Sequence, residues 1–203
     1  RADSQIAASS LNGLPHAFVV GTSSPRRLAQ LKHLRPDLVI KDLRGNVDTR
    51  LRKLDAGDYD ALILAAAGLR RLGLAARISL PIAIEEMLPA VGQGALGIEA
   101  RASDSQTLKL LAPLEHLDTR AACTAERALL RFLGGGCQLP IAAHAVVAEH
   151  HLRLEGLVAS LDGEVIIRAA LEGKVTEARE LGETLGNQLL ERGAESLLAG
   201  LTL

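Results

Sequence analysis

Short apolar runs alternate with stretches of helical periodicity from residue 16 onward, the pattern of a βα arrangement. His16 to Val20 reads as a first strand. Ser23-Ser24-Pro25 then opens a helix through about Leu34, with a hydroxyl at the N-cap and proline at the first helical position. Asp37 to Leu43 holds a second strand, Leu38-Val39-Ile40. A helix starting at Asn46 or Asp48 runs through Leu54 and ends at Gly57 as a left-handed cap. Tyr59 to Ala66 is nearly all apolar, as expected of a strand buried on both faces of a parallel sheet. Gly68 to Gly73 reads as a short helical turn and Ile78 to Ile84 as another extended segment.

The rhythm breaks at Leu88-Pro89-Ala90-Val91-Gly92-Gln93-Gly94, which reads as a crossing between domains. Ala95 to Ala100 is strand-like, and helices follow over about Ser103 to Leu111 and Asp118 to Phe132. The character then changes: Ile141 to Val147, Leu152 to Ser160 and Val165 to Leu171 read as strands, the last two joined at Asp162-Gly163. An amphipathic helix from about Thr176 to Arg192 closes the pattern. The expected fold class is α/β: an α/β domain followed by a small α+β domain with a three-stranded antiparallel sheet. No internal repeat or low-complexity tract interrupts it.

Composition narrows the function classes. With 203 residues and 48% hydrophobic content the chain buries a sizeable core. Its longest apolar run, Ala61 to Ala67, falls far short of the ~20 residues that span a bilayer, so no membrane partner is expected. With only Cys123 and Cys137, a disulfide framework is too thin for a secreted domain, and the expectation is a reduced, cytoplasmic protein. Net charge is −1, yet residues 26–71 hold eleven Lys and Arg against six Asp. Nucleic acid is the obvious rival partner for that excess. It is set aside because two Phe, one Tyr and no Trp leave almost nothing for bases to stack on.

The basic residues sit where ligands bind. Arg26 and Arg27 fall in the first turn of a helix, where the macrodipole disfavours cations unless an anion is bound. Free amides, the Ser23 and Ser24 hydroxyls and two guanidinium forks there are placed to converge on one carboxylate or phosphate. Arg44 and Arg50 flank a second strand end, in Leu43-Arg44-Gly45-Asn46-Val47-Asp48-Thr49-Arg50, and Arg70 and Arg71 follow a third. Arginine suits bidentate recognition of planar carboxylates.

Cys137 lies in Gly134-Gly135-Gly136-Cys137-Gln138-Leu139-Pro140, a run that neither helix nor strand tolerates, so its thiol is expected on an open loop. Cys123, among alanines on a helix, reads as a small buried hydrophobe. None of the six His has metal-ligand spacing, and no metal is expected.

These motifs resemble the porphobilinogen deaminase (hydroxymethylbilane synthase) family. The resemblance rests on Gly21-Thr22-Ser23-Ser24-Pro25-Arg26-Arg27, Leu43-Arg44-Gly45-Asn46 with Thr49-Arg50, Asp58-Tyr59-Asp60-Ala61, and Ala67-Gly68-Leu69 with Arg71-Leu72-Gly73. Leu88-Pro89-Ala90-Val91-Gly92-Gln93-Gly94 and Gly135-Gly136-Cys137-Gln138 with Pro140 complete it, in family order across nearly the whole chain. Pro25 departs from the family's usual aliphatic residue, harmlessly at a helix start.

The resemblance implies a transferase that deaminates porphobilinogen and joins four such pyrroles head to tail into hydroxymethylbilane. Its cofactor is a dipyrromethane, and the family is typically monomeric. The cysteine matching Cys137 holds the cofactor through a thioether. Ser24, Arg26, Arg27 and Arg50 match contacts to cofactor carboxylates, and Arg44, Arg50 and Arg71 match those serving the substrate or growing chain.

The resemblance also implies a periplasmic-binding-protein-like domain over 1–90, a segment over 91–115 returning from a mostly missing N-terminal domain, and a cofactor-attachment domain over 116–203. The family's catalytic aspartate matches neither Asp42 nor Asp48 and is assigned to no residue, so the chain alone is expected to be inactive. The alternative is a non-catalytic anion-binding module of the periplasmic type, with phosphate or a dicarboxylate as ligand.

Overall fold

The computed structural model describes residues 9–136 and 138–200. Its first half is built on β1 (Val19–Gly21), α1 (Pro25–Leu34), β2 (Val39–Lys41), α2 (Val47–Asp55), β3 (Ala61–Leu62) and α3 (Ala66–Arg71). The strands are parallel in the order β2-β1-β3, with Val20 level with both Ile40 and Ala61. Helices α1 and α2 make the crossovers that parallel neighbours require. Pro25 is the first residue of α1, and Asn46 caps α2 by accepting from the Thr49 amide at 2.9 Å. Val20, Leu31, Leu38, Ile63 and Met87 form the core between these layers.

Three expectations need correction here. The third strand is expected over Tyr59 to Ala66, but its ladder spans only Ala61–Leu62. Beyond Gly21 the neighbouring chain turns away into the Thr22–Ser24 loop, so β3 runs out of partners and α3 starts at Ala66. Ile78 to Ile84 forms no strand, although Leu80 and Ile82 pack on the core. Ala95 to Ala100 forms none either, and leaves Leu96 and Ile98 exposed. Apolar side chains alone do not make a strand where no backbone neighbour completes the ladder.

The second half runs through α4 (Ser105–Leu111), α5 (Leu117–Phe132), β4 (Ile141–Ala148), β5 (His151–Ala159), β6 (Ile166–Lys174), α6 (Ala178–Leu189) and α7 (Glu195–Ala199). Strands β4-β5-β6 form an antiparallel meander. Its first turn is the residue pair Glu149 and His150, both with positive φ, as a tight two-residue hairpin demands. Its second lies over Asp162-Gly163, as the sequence predicts. The expected helix from Thr176 to Arg192 is shorter: α6 stops at Leu189, a wider turn spans 190–194, and Gly193 at φ 103° separates it from α7.

Helices α5 and α6 cover one face of the meander around Leu129, Leu152, Leu154 and Leu185. They approach closely because α6 presents Gly182 and Gly186, where any Cβ would collide with Ala125, Ala128 or Phe132. The fold is therefore mixed α/β, a parallel sheet followed by a small α+β unit. No helix among the described residues is long and apolar enough to cross a membrane.

The halves meet over α1. Ala29 and Leu88 pack with Ala142, Leu157 and Ala159 of the meander in one small buried cluster. The His33 Nδ1 lies 2.9 Å from the Gly163 carbonyl oxygen, and Arg168 Nη1 donates to the Glu85 carbonyl at 3.0 Å. Gly163 has φ 78°, and a Cβ there would lie 2.5 Å from the Ala29 carbonyl oxygen. Gly163→Ala should therefore destabilise the protein by about 2 kcal/mol or more, since backbone strain and a backbone clash coincide. Gly68→Ala, in α3 with nothing near its missing Cβ, should be neutral or stabilising by up to about 1 kcal/mol. Chemical denaturation of both variants checks this, and equal effects would contradict the packing.

Candidate functional site

The loops after β1 and β2 are stitched together by one side chain. Ser23 Oγ donates to the Leu43 carbonyl at 2.6 Å and accepts from the Leu43 amide at 2.8 Å. The buried Thr22 amide donates to the Lys41 carbonyl at 3.0 Å, and its hydroxyl accepts from the Ser24 amide at 3.3 Å. Ser24 is the N-cap of α1 but makes no capping bond with its side chain. Among the described residues the first amides of α1 are thus left without a side-chain acceptor, beside two cations.

Those cations turn to backbone oxygen rather than to acids. Arg26 is buried, and its Nη1 donates to the Leu88 carbonyl at 2.7 Å. Gln30, one turn on, donates from Nε2 to the same carbonyl at 3.1 Å and accepts from the Leu88 amide at 2.8 Å. Burial first, and Arg27 second, lower the Arg26 pKa to about 10, still charged at neutral pH. Arg27 donates from Nη1 to the Ile63 carbonyl at 2.8 Å, at the end of β3. Burial, and then the charge of Arg50, push its pKa down.

Arg50 donates from Nε to the Gly45 carbonyl at 2.7 Å. Gly45 holds φ 114°, a conformation that favours glycine and aims this carbonyl at the arginine. Arg27 and Arg50 therefore share one region with no acid paired to either among the described residues. Arg44 is almost fully exposed, and its Nε meets Asp42 at 3.0 Å. Beside Ser23 and paired with Arg44, the Asp42 carboxyl lies below its usual range, so it is an acceptor rather than a proton donor.

Arg71 ends α3, exposed and without a hydrogen bond or ion pair among the described residues. Ser24, Arg27 and Arg50 thus gather at the ends of the parallel strands, with Arg44 and Arg71 on more open ground. Arg26 is set deeper, committed partly to the Leu88 crossing. A cavity of about 460 Å³ beside β3 touches Arg26, Arg27 and Arg70 but is otherwise lined mainly by apolar residues. Arg70 and Arg77 face it, and Arg71 does not.

The loop from α5 to β4 starts as a tight glycine turn. The Gly135 amide donates to the Leu130 carbonyl at 2.8 Å, and a Cβ on Gly135 would strike Leu130 and Ile141. Gly136 has open space around it. Cys137 itself lies outside the described residues. Cys123 is half-buried, and burial, with Glu126, raises its thiol pKa, which keeps it protonated and unreactive. Among the described residues no cluster of three His, Cys, Asp or Glu is placed to hold a metal.

Two buried polar residues were not singled out from the sequence. Gln30 is one. Glu126 of α5 is the other: one carboxylate oxygen accepts from the Gly92 amide at 2.6 Å, the other from the Ala145 amide at 2.8 Å. It ties the crossing segment to α5 and β4 at once. The only local sign of either is a polar residue within an apolar helix stripe.

Strand-end loops, a helix N-terminus and arginines without an acid partner among the described residues define an α/β protein with a site suited to carboxylate- or phosphate-bearing ligands. Comparison with known proteins sharpens this. Residues 2–109 match the family model "Porphobilinogen deaminase, dipyromethane cofactor binding domain", and residues 120–191 match "Porphobilinogen deaminase, C-terminal domain". The porphobilinogen deaminase of Syntrophotalea carbinolica is 53% identical over 190 residues, covering 94% of this chain and 60% of that protein. The chain belongs to the porphobilinogen deaminase family. It spans 60% of the length of that relative.

Glu126 yields a signed pH dependence. Burial pushes its carboxyl above the ordinary 4.5, against the pull of the Gly92 and Ala145 amides. His144, with its Nδ1 4.0 Å away, Arg127 and the Cys123 thiol are the charged or titratable groups beside it. An acid with a raised folded-state pKa contributes stability that is complete below the unfolded value and lost as pH rises through the folded one. Glu126→Gln removes that dependence while losing the acceptor for one of the two backbone N–H groups. Its stability deficit against the parent should be larger near pH ~4.5 than near pH ~8, by urea denaturation at each pH. A deficit that widens with rising pH would contradict the raised pKa.

Proposed function

We propose that this chain is the cofactor-holding part of a porphobilinogen deaminase. On this reading residues 1–90 are a periplasmic-binding-protein-like domain, 91–115 a segment returning from an N-terminal domain, and 116–203 the cofactor-attachment domain. The whole enzyme deaminates four porphobilinogen molecules and joins them head to tail into hydroxymethylbilane, in the cytoplasm. The observation that carries the reading is the meeting of Arg27 and Arg50, each oriented by a backbone carbonyl, with no acid paired to either among the described residues.

The donor set fits a dipyrromethane, whose pyrroles bear acetate and propionate side chains. Arg27, Arg50, the Ser24 hydroxyl and the first amides of α1 would hold its carboxylates, with Cys137 as thioether anchor. Arg26 joins them through the Nε and Nη2 donors that Leu88 leaves free. When bound, the cofactor supplies the free pyrrole position on which the chain of rings grows. Arg44, Arg50 and Arg71 receive the carboxylates of the incoming substrate and growing oligomer. Bound rings lose their independent motion, and fixing two reacting carbons near one another lowers the barrier to joining them.

Protonation chemistry is a different matter. Asp42 is an exposed, ionised partner of Arg44, and the family's catalytic aspartate is matched to no residue of this sequence. The 203 residues alone are therefore expected to form no hydroxymethylbilane.

Intact mass under denaturing conditions, followed by peptide sequencing, tests the reading. The expected result is a dipyrromethane adduct on Cys137 that Cys137→Ser abolishes, together with no product from porphobilinogen. A bare mass in protein made where porphobilinogen is available, with anion binding unchanged in Cys137→Ser, would favour the non-catalytic binding module. Product formation by this chain would overturn the expectation of inactivity.

A further inference from the structure

A second basic site lies on the far half of the protein. We propose that the groove between α5 and α6 binds a phosphate-type dianion. The groove encloses about 390 Å³ and is lined by Thr124, Arg127, Arg131 and Phe132 of α5 and by Arg179 and Glu183 of α6. Arg127 and Arg131 are one turn apart and so rise from the same face of α5. Arg179 reaches the groove from α6 because Gly182 and Gly186 let the helices approach backbone to side chain.

The charge in this groove is unbalanced. None of the three guanidinium groups forms a hydrogen bond or ion pair among the described residues, although Glu183 lines the same space. Other arginines of this half are engaged: Arg120 pairs with Glu115, Arg153 with Glu155 and Glu172, and Arg168 with Glu155, while Arg192 donates to the Arg168 carbonyl at 3.2 Å. Arg179 also sits in the first turn of α6, where the helix dipole offers a cation nothing. The Thr124 hydroxyl donates to the Arg120 carbonyl at 2.7 Å, so anion recognition falls to the arginines.

Three converging forks present more N–H donors than one carboxylate can accept, and they match the oxygens of a phosphate. Such an ion would tie α5 to α6. It would do so in the element that runs directly into the glycine loop before Cys137. The groove shares no residue with the arginine site at the strand ends.

The test follows backbone amide NMR signals of the 203-residue chain during titration with inorganic phosphate at constant ionic strength. Saturable shifts are expected in residues 124–132 and 179–183. Arg131→Gln and Arg179→Gln should each weaken the affinity read from those signals by about 5-fold or more. The signals of residues 44–50 serve as an internal reference for the other arginine site in the same sample. Shifts confined to 21–27 and 44–50, shifts that do not saturate, or variants that bind as tightly as the parent would each overturn the proposal. Both substitutions are on the surface, and unchanged amide dispersion elsewhere confirms that the variants are folded.

Discussion

Two arginines in the first turn of α1 bind main-chain carbonyls, and the rest of the site depends on those two bonds. Arg26 reaches Leu88 at the crossing between the halves, and Arg27 reaches Ile63 at the end of β3. Each bond joins a full positive charge to a neutral acceptor, worth about 1.5–3 kcal/mol when made but leaving the charge uncancelled. An acid in either place would have given a closed ion pair. A carbonyl instead fixes the guanidinium in direction and keeps its field available. Neighbouring Arg50 is treated alike by Gly45.

The same bond to Leu88 gives the molecule its internal continuity. Leu88 is fully buried, with its carbonyl taken by Arg26 and Gln30 and its amide by Gln30, while its side chain enters the cluster with Ala29, Ala142 and Leu157. Glu126 holds the crossing four residues further on. The parallel sheet that carries the arginines and the meander that carries the cysteine loop are thus tied through one short stretch of chain. Displacing that stretch would move Arg26 and the glycine loop together.

Much of this was legible in the sequence because it is local. Pro25 after two serines marks the start of α1, Asn46 that of α2, and alternating apolar residues give the meander with its Asp162-Gly163 turn. The failures are where the deciding partner is remote. Ile78 to Ile84 and Ala95 to Ala100 have strand composition, but no described neighbour supplies a ladder. Which of two adjacent arginines points inward is not written in the first turn of a helix, so the burial of Arg26 had no local sign. Gln30 and Glu126 meet partners 58 and 34 residues away. The meeting of Arg27 and Arg50, by contrast, was visible because two successive strand ends each deliver arginine.

The central claim is that Arg27 and Arg50 form a positive site whose counter-charge comes from a bound carboxylate. Calorimetric titration of porphobilinogen into the parent chain, Arg27→Gln, Arg50→Gln and, as a control on the same helix, the exposed Arg52→Gln measures this directly. The account predicts affinity about 10-fold weaker or worse in the first two variants, equivalent to about 1.4 kcal/mol, and little change in the third. Equal affinity in all four proteins, or no binding to the parent, would contradict it.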